Sequence, residues 1–390
     1  MFLEQTLKCN PQLIETAVAL HQSGQLAPDT YVLDVDAILA NAATMLKQAD
    51  ALGVKLYAMT KQLGRNPWVA QQLVHLGFAG VVAVDWREAL TMAAAGVKLG
   101  HVGHLVQIPQ AVLPEILAAR PEVVTVYSLA KAQAIAQAAQ AQRYTQKILL
   151  RVLGPEDILY PGQYGGFTLA ELPAAAQALK KLAGIAITGV TSFPCLLFNE
   201  KTQQVEPTPN VQTVRRAAAI LQELGCRVTQ LNMPSVTCTA TLPQLAQFGG
   251  THGEPGHGLT GTTPLHAVTD QPEIPAYVYV SEISHNLGPI SYCYGGGYYR
   301  RSHLAAALVG DRFGSLQKLP ALPVDAEAID YHLGLKGNAR VGATCIFAFR
   351  TQIFVTRSQV ALVTGIKQGR PQILGIYDSQ GTLLRKGAIF

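Results

Sequence analysis

The sequence predicts an α/β chain in two parts, an N-terminal β/α barrel followed by a mostly β C-terminal domain. Two observations carry this. From Tyr31 to about Leu265, short β-rich runs alternate with Ala/Leu-rich helical stretches; after Leu265 helical periodicity fades and strand-like runs take over. Alternating strands and helices of this length form parallel β-α units, and about eight of them close into a barrel. An open doubly wound sheet is the rival. No G-x-G-x-x-G follows the first strand, which counts against a dinucleotide-binding sheet.

In chain order, residues 1–28 read as a helical extension. Tyr31-Val-Leu-Asp34 opens the barrel region as a strand, and Ala37 to Ala51 is a helix. Val54 to Thr60 is a strand, Pro67 to Leu76 a helix, Gly80-Val-Val-Ala-Val84 a strand, and Trp86 to Ala95 a helix. Further strands are expected at 99–106, 123–127, 147–152, 185–191 and 228–231, with helices at 169–181 and 210–224. The later strands include Ala276-Tyr-Val-Tyr-Val280, Ile346-Phe-Ala-Phe349, Gln352-Ile-Phe-Val-Thr356 and Val360-Ala-Leu-Val363. The expected domains are 1–28, 29–264 and 265–390.

Composition narrows the function. Charged residues make up 14% of the 390 residues, against about 25% in an ordinary globular chain. So low a charge content implies a large core, a large subunit interface, or both. The net charge of +5 comes with no dense Lys/Arg run, so nucleic-acid binding has no support. No uncharged apolar run approaches the ~20 residues of a membrane span. Met1-Phe2-Leu3-Glu4 does not begin a basic segment followed by an apolar core, so no secretory signal is read. The six cysteines are scattered, without a C-x-x-C pair, and read as small apolar residues in a reducing compartment. A cytoplasmic protein is the expectation.

Three features can carry chemistry. Lys61 directly follows the strand Lys55-Leu-Tyr-Ala-Met-Thr60. Barrel strands end at the functional face, and a desolvated amine there can attack a carbonyl. A surface lysine closing a strand has the same pattern. The second feature is the run 249–261, with six glycines among thirteen residues together with His252, Glu254 and His257. Glycines let backbone N–H groups approach a phosphate; a plain interdomain connection is the alternative. A metal would need a third ligand that the run does not supply. The third feature is Ser291-Tyr-Cys-Tyr-Gly-Gly-Gly-Tyr-Tyr-Arg-Arg-Ser302. Its tyrosines suit acid–base work and its arginines suit a carboxylate, although glycine-rich hairpins with packed aromatics are common in β domains.

Taken in order, these features resemble the pyridoxal-phosphate (PLP) enzymes of the alanine racemase and ornithine decarboxylase type, from about Tyr31 onward. Val32-Leu-Asp-Val-Asp36 with Asn41, Ala58-Met-Thr-Lys61, and Ala83-Val-Asp85 with Glu88-Ala89 and Gly96 are similar to that family's opening segments. Within it, the YhfX-like branch is most similar. The resemblance implies PLP as cofactor and Lys61 as the Schiff-base lysine. It places Ser235, Thr237, Gly256 and His257 near the phosphate and Glu254 at the pyridine nitrogen. Tyr294 would be an acid–base group supplied to the partner subunit of a homodimer with shared active sites. Gln163 stands where racemases have an arginine, Glu254 replaces another, and Thr191-Ser192 stands in place of Thr-His.

The implied reaction acts at the α-carbon of an amino acid. Lys61 and Tyr294 exchanging protons on opposite faces would be racemisation; loss of the carboxylate instead would be decarboxylation. The Tyr294 match favours the racemase and the Glu254-Pro-Gly256 match the decarboxylase. A PLP carrier without turnover is a third reading, against which the large C-terminal domain argues. A barrel binding another phosphorylated metabolite is a fourth.

Overall fold

A computed structural model describes residues 2–387. They fall into two compact units, Ala42–Thr60 with Pro67–Gly258, and Met1–Asn41 with Lys61–Asn66 and Leu259–Phe390. These limits differ from 1–28, 29–264 and 265–390.

The elements up to the end of the barrel are helices α1 (Leu3–Cys9) and α2 (Pro11–Gln22), strand β1 (Thr30–Asp34), α3 (Val35–Ala51), β2 (Lys55–Met59), α4 (Pro67–Leu76), β3 (Gly80–Ala83), α5 (Trp86–Ala94), β4 (Leu99–Val102), α6 (Leu113–Ala118), β5 (Val123–Val126), α7 (Leu129–Ala141), β6 (Gln146–Leu153), β7 (Phe167–Thr168), α8 (Leu172–Leu179), β8 (Ile185–Thr191), β9 (Leu196–Asn199), β10 (Gln204–Pro207), α9 (Pro209–Glu223), β11 (Gln230–Asn232), α10 (Leu242–Gln247) and β12 (His252–Gly253). Strands β2, β3, β4, β5, β6, β8, β11 and β12 pair in that order, all parallel, and β12 returns to β2. The eight-stranded barrel is therefore closed, and the expected alternation is present. Its eighth strand, His252–Gly253, lies inside the glycine run, which is thus partly barrel wall and not only a connection.

Local chemistry sets the barrel elements. Asp85 caps α5, its Oδ1 accepting the Glu88 N–H at 3.0 Å. Glu88 turns its carboxylate back, accepting the Val84 N–H at 2.8 Å and the Thr60 hydroxyl. This capping arrangement ties the end of β2, one residue before Lys61, to the end of β3. Gly100 is required by packing: a Cβ there would lie 2.2 Å from the Tyr57 ring.

The other unit is built on a sheet continued by β13 (Tyr277–Leu287), β14 (Ile290–Tyr294), β15 (Ala306–Gly310), β16 (Gln317–Pro320), β17 (His332–Lys336), β18 (Thr344–Phe347), β19 (Gln359–Thr364), β20 (Gln372–Tyr377) and β21 (Leu383–Lys386). The expected β-rich texture is there. Strand β1, read from sequence with the barrel, is instead a central strand of this sheet, antiparallel to β13 and parallel to β19. All five of its residues are buried, and burial on both faces gives an apolar run that resembles a barrel strand. Helices α1 and α2 pack on the same sheet, with Leu13, Ile14 and Val18 against Val32, Val278 and Ile346. The segment 352–356, read as a strand, contains a 3-10 turn at Ile353–Val355. Among the described residues no helix is long and apolar enough to cross a membrane.

Candidate functional site

The C-terminal ends of the barrel strands bring together buried polar groups. Glu254 follows β12 with its side chain almost wholly buried. His101 Nδ1, on β4, lies 2.6 Å from Glu254 Oε1, and Asn232 Nδ2, on β11, donates to the same oxygen at 2.7 Å. The second nitrogen of His101 sits 2.5 Å from Thr125 Oγ1 on β5. Strands β4, β5, β11 and β12 are thus tied through one imidazole. His101 also lies beside Tyr57, and Tyr57 stacks on His252 at 5.2 Å.

Burial alone would raise the Glu254 carboxyl, but His104, His101 and the hydrogen bonds from His101 and Asn232 outweigh it and hold the group at about 2. Glu254 is therefore ionised. Its Oε2 is buried and accepts no hydrogen bond from the described residues. Gln163 Oε1, Thr191 Oγ1, Asn232 Oδ1 and Arg151 Nε are also buried without a partner there. Unsatisfied buried groups are rare and cost about 1–3 kcal/mol each. Several at one end of a barrel mark a place shaped for a polar ligand.

The loop after β11 adds strained backbone. Ser235 and Val236 have φ of 114° and 47°, a region unfavourable to residues with a Cβ. Thr237 is buried, and its Oγ1 accepts the Glu254 N–H at 3.4 Å. A Cβ on Gly253 would meet the Thr237 side chain at 2.9 Å, and one on Gly258 the Thr237 carbonyl at 2.4 Å. The loop holding Ser235 and Thr237 is thus packed on the run that contains Gly256, which is buried, and His257, which is half-buried.

Thr237 and Glu254 therefore touch. Gln163 is reached through Arg151, which donates to its carbonyl at 2.8 Å. Lys61 begins a 3-10 turn, Lys61–Leu63, straight after β2 and is half-buried. Tyr294 ends β14, 39% exposed, with its ring 6.0 Å from that of His332. The glycines after it are held in place: Gly296 donates to Asp330 at 3.0 Å and has φ of 124°, and a Cβ there would strike Asp29. Lys61 and Tyr294 both belong to the β-rich unit.

Sequence reasoning missed His101, Asn232 and Arg151. The signal was a polar side chain set into the apolar strands Leu99-Gly-His-Val102 and Ile148-Leu-Leu-Arg-Val152, and into the short strand Gln230-Leu-Asn232, where Gln230 is polar as well.

A closed parallel barrel with these strand-end groups and an appended β domain has clear relatives. Residues 33–264 match the model of the alanine racemase N-terminal domain, and the chain belongs to that family. Residues 278–373 match the YhfX-like C-terminal domain. The chain is 46% identical over 385 residues to the uncharacterized protein YhfX of Escherichia coli strain K12, covering 98% of this chain and 100% of that one. Among solved structures it is similar to D-threonine aldolase from Filomicrobium marinum, with a TM-score of 0.66, 17% identity, and coverage of 90% and 94% of the two chains. It is also similar to alanine racemase from Corynebacterium glutamicum, at 0.61, 17%, 82% and 90%. For D-threo-3-hydroxyaspartate dehydratase from Delftia sp. HT23 the values are 0.63, 18%, 89% and 97%.

Proposed function

We propose that this chain is a PLP-dependent enzyme acting at the α-carbon of an amino acid, with racemisation as its reaction. The observation that carries the cofactor reading is the ionised, buried Glu254 with one oxygen left open; racemisation rests on the match of Tyr294 to the racemase tyrosine. A pyridine ring nitrogen fits such an acceptor, and the strained, glycine-packed loop 235–237 fits a phosphate. The residues present therefore suit the cofactor. The structurally similar proteins include an alanine racemase, a D-threonine aldolase and a D-threo-3-hydroxyaspartate dehydratase, named for reactions of amino acids or their derivatives.

Glu254 would accept from the ring nitrogen and keep it protonated. Ser235, Thr237, Gly256 and His257 would hold the phosphate, and Gln163 would be a further cofactor-binding residue. Lys61 would be the anchor and would carry protons on one face of the α-carbon. Tyr294 of a second subunit would serve the other face. Bound there, PLP supplies the electron sink for a carbanion at that carbon. Glu254 strengthens the sink, which suits loss of a carboxylate as well as of a proton; decarboxylation is thus the second reading.

The test is deuterium uptake at Cα across L- and D-amino acids in D2O, with carbon dioxide release followed in parallel. Uptake with inversion supports the racemase, and gas release the decarboxylase. A protein that takes up PLP but does neither is a carrier. Lys61→Ala should abolish the borohydride-sensitive absorbance band while leaving the protein folded. Persistence of that band would move the anchor to another lysine.

A further inference from the structure

The reaction proposed above takes Tyr294 from the segment 291–302 and gives Arg300 and Arg301 no part. Both arginines line a cavity of about 270 Å³ within the β-rich unit, near the lower end of small-molecule pockets. Two chain segments form it. Residues 298–304 bring Arg300, Arg301 and His303 together with Tyr298. Residues 322–324 bring Leu322, Pro323 and Val324, and Leu304 adds to this apolar surface. None of the lining residues is acidic. The two guanidinium groups are cationic at any ordinary pH, while the imidazole and the phenol add hydrogen-bonding capacity.

Both segments are pegged by their backbones. Gly296 donates to Asp330 at 3.0 Å, and the backbone of Tyr298 hydrogen-bonds the same carboxyl. Ser302 is wholly buried; its N–H donates to the Tyr299 carbonyl at 2.8 Å, and its carbonyl accepts from the Arg350 N–H at 3.0 Å. The turn is thus fixed at its buried residue, while Arg300, Arg301 and His303 stay exposed around it. His303 has a φ of 54°, a left-handed conformation that is costly for a residue with a Cβ. In the second segment Ala321 donates to the Ala305 carbonyl and Leu322 to the Gly334 carbonyl, each at 2.8 Å. The Leu322 side chain lies over Gly334, where a Cβ would come within 2.7 Å of it. A ligand meets walls already in place, which keeps the ordering cost of binding small.

Two adjacent cations at a partly apolar cavity repel each other, and a bound anion relieves that repulsion. Arginine forks match the oxygens of a carboxylate or a phosphate. A bare inorganic ion would leave the leucine, proline and valine surface in water, whereas a hydrocarbon body covers it. We infer that this cavity is a binding site for a small organic anion, a carboxylate or phosphate head on a short hydrocarbon body. The head meets Arg300 and Arg301, and the body lies on Leu322 and Val324. All of the lining residues belong to the β-rich unit, so the site stands whether or not PLP binds the barrel.

The experiment is isothermal titration of the full chain, preincubated with PLP and freed of excess, with hexanoate, butyl phosphate, acetate, inorganic phosphate and hexanol. Hexanoate or butyl phosphate should bind roughly tenfold or more tightly than acetate and inorganic phosphate, and hexanol should not bind. The tighter of the two organic anions identifies the head group. Replacing both arginines, Arg300→Gln with Arg301→Gln, should weaken that ligand by about tenfold or more. Val324→Glu, which sets a carboxylate into the apolar side, should weaken it independently and carries the test if the double variant melts early. Equal affinity for acetate and hexanoate overturns the proposal, as does hexanol binding as well as hexanoate. Organic-anion binding that survives in both variants belongs elsewhere in the chain and also overturns it, and so does a chain that binds none of the probes.

Discussion

Glu254 shows how single side chains set the chemistry of this barrel. A carboxyl held at about 2 is ionised at any ordinary working pH, so its effect on a bound ring does not vary there. Glu254→Gln keeps the shape but removes the charge. Deuterium uptake at Cα should fall by an order of magnitude or more, about 1.4 kcal/mol in the barrier, and the loss should be the same from pH 6 to 8. An unchanged rate would place Glu254 away from the ring. Lys61 and Glu254 could be picked out from sequence because each borders a recognisable run. His101, Asn232 and Arg151 could not, since one polar residue in an apolar strand does not reveal which face points inward. That is decided only when the barrel closes and β4, β6 and β11 turn the same way.

At the scale of elements, the glycine segment after β14 rests on a carboxyl clamp. Asp29 accepts from the Tyr279 hydroxyl at 2.9 Å and from the Ser358 hydroxyl, while Asp330 accepts from Gly296. Burial raises Asp29 to about 6, despite those hydrogen bonds and the nearby Arg357; Asp330 is raised too. The folded state therefore holds the Asp29 proton more tightly than the unfolded chain does. The resulting stabilisation is present at about pH 4 and is lost as pH rises through about 6. The melting temperature should fall between about pH 4 and 6, and Asp29→Asn should flatten that slope; an equal slope in the variant would assign it to other groups. The sequence shows the glycines of this segment but not the clamp, because Asp29, Tyr279 and Asp330 are far apart along the chain. The two-residue strand β12 escaped for a related reason. His252–Gly253 has no length from which to read a period, and only its pairing with β2 and β11 makes it a strand.

At the scale of the whole molecule, the barrel was legible because seven of its eight strands alternate with helices in one pattern, whereas the partners of β1 were not. The low charge content and the exposed Tyr294 fit an assembly of two chains with composite sites. Mixing Lys61→Ala with Tyr294→Phe under subunit exchange makes about half the dimers mixed, each with one intact site. Deuterium-uptake activity should then recover to roughly a quarter of wild type. No recovery after verified exchange would put both residues in one chain's site, or remove Tyr294 from it.

The place of β1 has a consequence for how the protein is made. Thr30 leaves the ribosome well before its partners Val280 and Gln359, which lie far along the chain from it. Residues 42–60 and 67–258 can collapse into the barrel while the leading segment waits, with its apolar strand unpaired. A fragment 265–390 expressed alone would lack this central strand and leave β13 and β19 with raw edges, which invite aggregation. It should be insoluble by itself and become soluble when residues 1–41 are co-expressed as a separate peptide. Nascent chains stalled before residue 359 should bind chaperones more than released ones do.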